Sequence, residues 1–211
     1  MISEQSKKFI IETKDVCNIL HNIFENTSKE PEASLIMDNQ IMTRAVYQLP
    51  KNPDSDKHQW LRIRVGDLDC EGNSKCTITF KRKTLDSSKP TSAKLEVDNY
   101  YDAIHMFDLL GFKKTSTQET KRSKLVCFYE SVKYLVCFDV WPGLEEITFI
   151  AIEAGPNAEL MDFEGFLDLI HIEKYKLNKE YIDVDSEYKS KYNLVASDIP
   201  NLKFDFPIDN K

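Results

Sequence analysis

The chain is expected to fold as an α+β protein with about eight strands, mostly antiparallel neighbours, and helices between and outside them. Three observations carry that expectation. Runs rich in β-branched and aromatic residues recur between polar breaks, and apolar residues at helical spacing occupy only a few separate stretches. Basic side chains also fall on alternate residues of three strand-like runs: Trp60-Leu-Arg-Ile-Arg64, Thr77-Ile-Thr-Phe-Lys-Arg-Lys83 and Thr120-Lys-Arg-Ser-Lys124.

Lys7 to Glu12 reads as an opening strand. Behind Asp15, the residues Val16, Ile19, Leu20, Ile23 and Phe24 recur at helical spacing and predict an amphipathic helix. Strand-like runs follow at Ile41 to Gln48, Trp60 to Val65 and Cys76 to Lys83, separated by polar loops from Pro50 to Lys57 and from Asp69 to Ser74. A short strand through Lys94, Leu95, Glu96 and Val97 leads into a helix with Ala103, Ile104, Phe107 and Leu110 on one side, stopped by Gly111. Thr117 to Glu130 and Lys133 to Val140 flank a hairpin turn, and Ile147 to Ala154 is the last strand of the series. Leu160, Phe163, Phe166, Leu167 and Ile170 mark a helix after Pro156, and the more polar stretch from Leu177 to Tyr192 offers another. The tail from Ser197, with Pro200 and Pro207, is expected to pack loosely. The domain plan is therefore one folded domain over residues 1–196 and a C-terminal tail over 197–211.

Successive strand side chains point to opposite faces, so Arg62 and Arg64 share one face and Lys81 and Lys83 do the same, while Leu61, Ile63 and Phe80 take the other. Any one such strand reads equally as an ordinary solvated sheet face of alternating Lys and Arg, whereas three together favour strands curled around an anion, since a face of like charges repels itself. Guanidinium forks and ammonium groups bind phosphate oxygens through charge-assisted hydrogen bonds, which makes a polyphosphate the fitting ligand.

The attraction is local. Lys and Arg total 28 against 35 Asp and Glu, a formal net charge of −7, so bulk nucleic-acid binding is not expected. No apolar run approaches membrane-spanning length and the polar start from Met1 to Lys8 lacks a leader's apolar segment, so the expected location is cytoplasmic, with no membrane partner. The five cysteines, Cys17, Cys70, Cys76, Cys127 and Cys137, form no CxxC pair and are expected to be free thiols acting as small buried hydrophobes. The histidines His21, His58, His105 and His171 are scattered, and nothing marks a nucleophilic triad.

The order and spacing of these elements resemble the adenylate-cyclase and thiamine-triphosphatase (CYTH) family of triphosphate tunnel enzymes, over roughly Glu4 to Ala154. The resemblance rests on Trp60-Leu-Arg-Ile-Arg64, Thr77-Ile-Thr-Phe-Lys81, Glu96-Val-Asp98 leading to Leu109-Leu-Gly-Phe112, then Arg122, Asp139, Pro142-Gly-Leu144 and Phe149-Ile-Ala-Ile-Glu153. It implies an eight-stranded antiparallel β tunnel or barrel with flanking helices. It also implies a nucleotide or other organic triphosphate bound by Lys8, Arg62, Arg64, Lys81, Lys83 and Arg122, and Mg or Mn held by Glu4, Glu96, Asp139 and Glu153. Glu96 and Glu153 would then serve catalysis, in metal-dependent hydrolysis or cyclisation of the triphosphate.

The acidic positions are thinned relative to that pattern. Ser6 stands where a second glutamate of the opening strand belongs, Lys94 lies two residues before Glu96, and Ala151 two before Glu153. Hard divalent cations need clustered oxygen ligands. A second reading is therefore a binding module that keeps the cationic wall and senses or sequesters an anionic nucleotide. Both readings allow a monomer or a homodimer.

Overall fold

The computed structural model describes residues 6–27, 32–49, 58–83, 91–155, 160–179 and 182–208. The strands are β1 (Ser6–Glu12), β2 (Ser34–Gln48), β3 (His58–Leu68), β4 (Ser74–Lys83), β5 (Thr91–Val97), β6 (Lys113–Tyr129), β7 (Val132–Val140), β8 (Ile147–Ala154) and the short β9 (Asn201–Leu202). The helices are α1 (Val16–Asn26), α2 (Tyr100–Leu109), α3 (Leu160–Leu169), α4 (Ile172–Tyr175) and α5 (Val184–Tyr192). Along the sheet the order is β1-β8-β7-β6-β2-β3-β4-β5, with β9 added in parallel beside β6. The architecture is α+β with eight principal strands, and the β1–β8, β8–β7, β7–β6, β2–β3, β3–β4 and β4–β5 pairs are antiparallel.

The chain divides into two compact units, one of Met1–Gln40 with Lys121–Glu187 and one of Ile41–Thr120 with Tyr188–Lys211. In the first, Phe9 and Ile11 of β1, Leu125 and Cys127 of β6, Tyr134 and Val136 of β7, and Ile150 and Ile152 of β8 share one sheet face. Ile19 and Ile23 of α1 and Phe163, Phe166 and Ile170 of the α3 region cover it. Period two on the strands meets period 3.6 on the helices, which is why both patterns were legible. In the second unit, Ala45, Tyr47, Leu61, Ile63, Cys76 and Ile78 form the apolar face under Ala103 and Phe107 of α2. Asn99 caps α2 by accepting the backbone N–H groups of Tyr101 and Asp102. Gly111, at φ 79°, ends the helix as its sequence position predicts.

Several expectations require correction. β2 begins at Ser34, ahead of the predicted Ile41, because Asn39 takes a left-handed backbone (φ 51°) and carries the strand through a polar stretch without ending it. Helix is absent from Leu177 to Lys179; α5 starts only at Val184, where Asp183 Oδ1 accepts the Ser186 N–H at 2.9 Å. The tail is not loose through residue 202. Ala196, Ile199 and Leu202 are buried, β9 pairs with β6 at Thr117 and Gln118, and Gln118 Nε2 donates to the Ala196 carbonyl at 2.9 Å. Cys17 and Cys70 are exposed, whereas Cys76, Cys127 and Cys137 are buried as expected.

Gly66 marks a break in the β3–β4 register between Arg64 and Asp67. Its φ is +87°, and a Cβ there would lie 2.8 Å from the Ile41 carbonyl oxygen. Gly66→Ala therefore combines left-handed strain with a backbone clash, at a cost of about 2 kcal/mol or more. Thermal denaturation should show Tm falling by roughly 4–8 °C; an unchanged Tm would mean that the bulge relaxes freely.

Candidate functional site

The strand register collects basic side chains on the face of the second unit opposite its apolar core. Arg62 stands opposite Thr79 and Arg64 opposite Thr77 across β3 and β4, while Lys81 stands opposite Trp60. On the other flank, Arg44 of β2 stands directly opposite Arg64. Arg44, Arg62, Arg64 and Lys81 thus share one face with Trp60, Thr77 and Thr79, as the alternation requires. Lys83 continues β4, its backbone opposite His58, but its side chain lies outside the described residues, as does Glu4.

Like charges directly across an antiparallel pair are destabilising. Local partners offset part of that cost. Arg44 is buried and donates through Nη2 to Thr120 Oγ1 at 2.8 Å. Arg64 Nη2 lies 2.8 Å from Asp67 Oδ2, a pair brought together by the bulge at Gly66, with side chains only 14% and 11% exposed. The Lys81 ammonium sits 5.7 Å from the centre of the Trp60 ring, a cation–π contact that explains Trp60 as a packed neighbour of the basic face. Thr77 Oγ1 is buried and has no hydrogen-bond partner among the described residues. It adds a hydroxyl beside Arg64 that suits a phosphate oxygen.

Arg44 was missed in the sequence although it obeys the same alternation, set between Met42 and Val46 on one face with Ala45 and Tyr47 on the other. A single cation in an otherwise apolar strand resembles a snorkelling surface residue, and only the register with Arg64 reveals its place.

The first unit has its own charged face. Lys8 and Ala151 stand opposite each other across β1 and β8, as do Ser6 and Glu153. Across β6 and β7, Arg122 stands opposite Asp139 and Lys124 opposite Cys137. Arg122 donates from Nε and Nη2 to the two carboxylate oxygens of Asp139, each at 2.6 Å. This bidentate fork neutralises both groups. Burial pushes the Cys137 thiol up to about 11, so it stays protonated near neutral pH and is a poor nucleophile.

Within the first unit, the two carboxylates considered for a divalent metal, Glu153 and Asp139, are not brought together. Glu153 faces Leu135, and Asp139 lies four residues further along β7; at strand rise that is about 13 Å, far beyond the reach of one ion with bonds near 2 Å. Both oxygens of Asp139 are engaged by Arg122. In the second unit, Glu96 accepts from Lys75 Nζ at 2.8 Å, and this hydrogen bond holds its carboxyl below the usual glutamate range. Glu96 lines a cleft of about 510 Å³ with Asp69, Lys75, Asp98 and Tyr100. Lys75 also lies 3.8 Å from Asp69, and a cleft lined by three carboxylates and one ammonium is unsuited to a polyanion. No group of three or more His, Cys, Asp or Glu side chains among the described residues is arranged to hold a metal ion. Glu145 and Glu146 are exposed, and Glu145 accepts the Gly143 N–H at 2.8 Å, which makes it a turn residue.

No protein-family profile matches the chain and no curated protein matches it. Solved structures do. The candidate adenylate cyclase from Vibrio parahaemolyticus is 13% identical, with 83% of this chain and 94% of that one covered and a TM-score of 0.52. The PH1819 protein from Pyrococcus horikoshii is 20% identical, with coverages of 87% and 99% and a TM-score of 0.51. HpAC1 from Hippeastrum, a candidate adenylyl cyclase with a dominant triphosphatase activity, is 12% identical, with coverages of 90% and 96% and a TM-score of 0.50. At these identities the shared property is the fold. No helix of the described residues is long and apolar enough to cross a membrane.

Proposed function

We propose that this chain binds the polyphosphate part of a nucleotide or other organic triphosphate on the basic face of β2, β3 and β4. One observation carries the reading: Arg44, Arg62, Arg64 and Lys81 are aligned by strand register on a single face, in a chain whose net charge is −7. A cationic cluster kept within an acidic protein is a local device for an anion. Thr77 and Thr79, interleaved with the cations, supply hydroxyl donors. The partner is thus a small triphosphate rather than bulk nucleic acid. Lys8 and Arg122 are the candidates in the first unit, Arg122 the weaker of the two because Asp139 offsets its charge.

A second reading is Mg- or Mn-dependent hydrolysis or cyclisation of that triphosphate, in a member of the CYTH superfamily. The fold shared with HpAC1, a protein of triphosphatase activity, favours it. Glu4, Glu96 and Glu153 are its remaining carboxylates, and the ion pairing of Glu96 and Asp139 is what places binding ahead of turnover.

The test is a series of inorganic phosphates followed by calorimetry. Affinity should rise from phosphate through pyrophosphate to tripolyphosphate by roughly tenfold per added phosphate, the scale of one hydrogen bond to a charged group. Equal affinities along the series, or no binding, would overturn the polyphosphate assignment.

A further inference from the structure

The strand order ends at β5, which pairs with β4 on one side and has no second strand partner among the described residues. Ser92, Ala93, Lys94, Leu95 and Glu96 are all exposed, a run of five along one strand. Leu95 stands opposite Ile78, a member of the buried core beneath α2, yet is itself 63% exposed. The apolar face therefore continues onto β5 and stops uncovered. A strand of this kind is a template for edge pairing, which proteins either block or use.

The sequence of β5 is self-complementary. In an antiparallel pairing of two β5 strands about a two-fold axis at Leu95, each Lys94 stands opposite Glu96 of the second copy, Leu95 meets Leu95, and Ala93 meets Val97. Every cross-strand pair on the apolar face is then apolar, and the two charged pairs are of opposite sign. Moving the axis by one residue in either direction, a two-residue shift of register, instead sets Lys94 against Lys94 or Glu96 against Glu96. A two-fold interface needs this property, because each patch must fit itself. Glu96 already accepts from Lys75 through Oε1, and a carboxylate has a second oxygen for another ammonium.

We infer that β5 is the interface of a homodimer, with a second copy of this chain as its occupant and one continuous sheet running through both. Sedimentation velocity on the full chain, between roughly 1 and 100 μM, should show concentration-dependent dimerisation, as befits a small interface. Lys94→Glu places carboxylates opposite each other twice and should weaken the dimer by at least about tenfold. The exchange Lys94→Glu with Glu96→Lys should restore it. Leu95→Arg, at an exposed position that the monomer tolerates, should abolish it by setting two guanidinium groups face to face on the axis. A wild-type chain that is monomeric over the whole range would overturn the inference. So would a dimer that survives both Lys94→Glu and Leu95→Arg, which would place the interface elsewhere.

Discussion

Replacing Arg62 by alanine is expected to weaken tripolyphosphate binding by about 1.5–3 kcal/mol, or roughly 10- to 150-fold, the range for a hydrogen bond to a charged group. Arg62 is the informative position because it lies in the middle of the basic face, opposite Val46 on β2 and Thr79 on β4. Arg64 has a structural role as well. Its guanidinium is paired with the buried Asp67, so Arg64→Ala removes an ion-pair partner from a largely buried carboxylate and should cost roughly 1–3 kcal/mol of stability in addition to affinity. Calorimetric titration and denaturant unfolding of the two variants separate these effects. Unchanged stability in Arg64→Ala would mean that Asp67 does not depend on Arg64.

Phe166→Ala should be the most destabilising of the core changes, at about 3–5 kcal/mol. Phe166 is fully buried in α3 and stacks on Tyr134 of β7, with ring centroids 4.0 Å apart and planes inclined by 12°. Truncation leaves a cavity against the Tyr134 ring, and the stacking contribution is lost with it. Thermal unfolding should fall by roughly 6–20 °C. A loss below about 1 kcal/mol would show that α3 does not seal the apolar face of the first unit.

Strand positions were legible wherever alternation was uninterrupted. Ile147–Ala154 emerges with the bounds read from its sequence because six of its eight residues are apolar, and the alternate residues Ile150, Ile152 and Ala154 pack under the helices. The first half of β2 was not legible, since Asp38, Asn39 and Gln40 mimic a loop and the left-handed Asn39 has no composition signal beyond its residue type. β9 escaped for another reason: its two residues are fixed by pairing with β6 and by side chains such as Gln118, which are distant in sequence. The basic face could be read residue by residue for Arg62, Arg64 and Lys81, whereas Arg44 needed the strand register. The carboxylates show the limit most clearly. Residue type alone offers Asp139 to a metal, but its partner Arg122 lies across a strand pair, and that ion pair exists only in the folded chain.

The most direct measurement is calorimetric titration of tripolyphosphate into the full chain in the presence of EDTA. If the cations of β2, β3 and β4 bind the phosphates themselves, saturable binding persists in the chelator, weakens with rising salt and falls in the Arg62→Ala variant. Binding that vanishes in EDTA and returns only with Mg or Mn would contradict that account and place the phosphate-binding role on a metal held by the carboxylates.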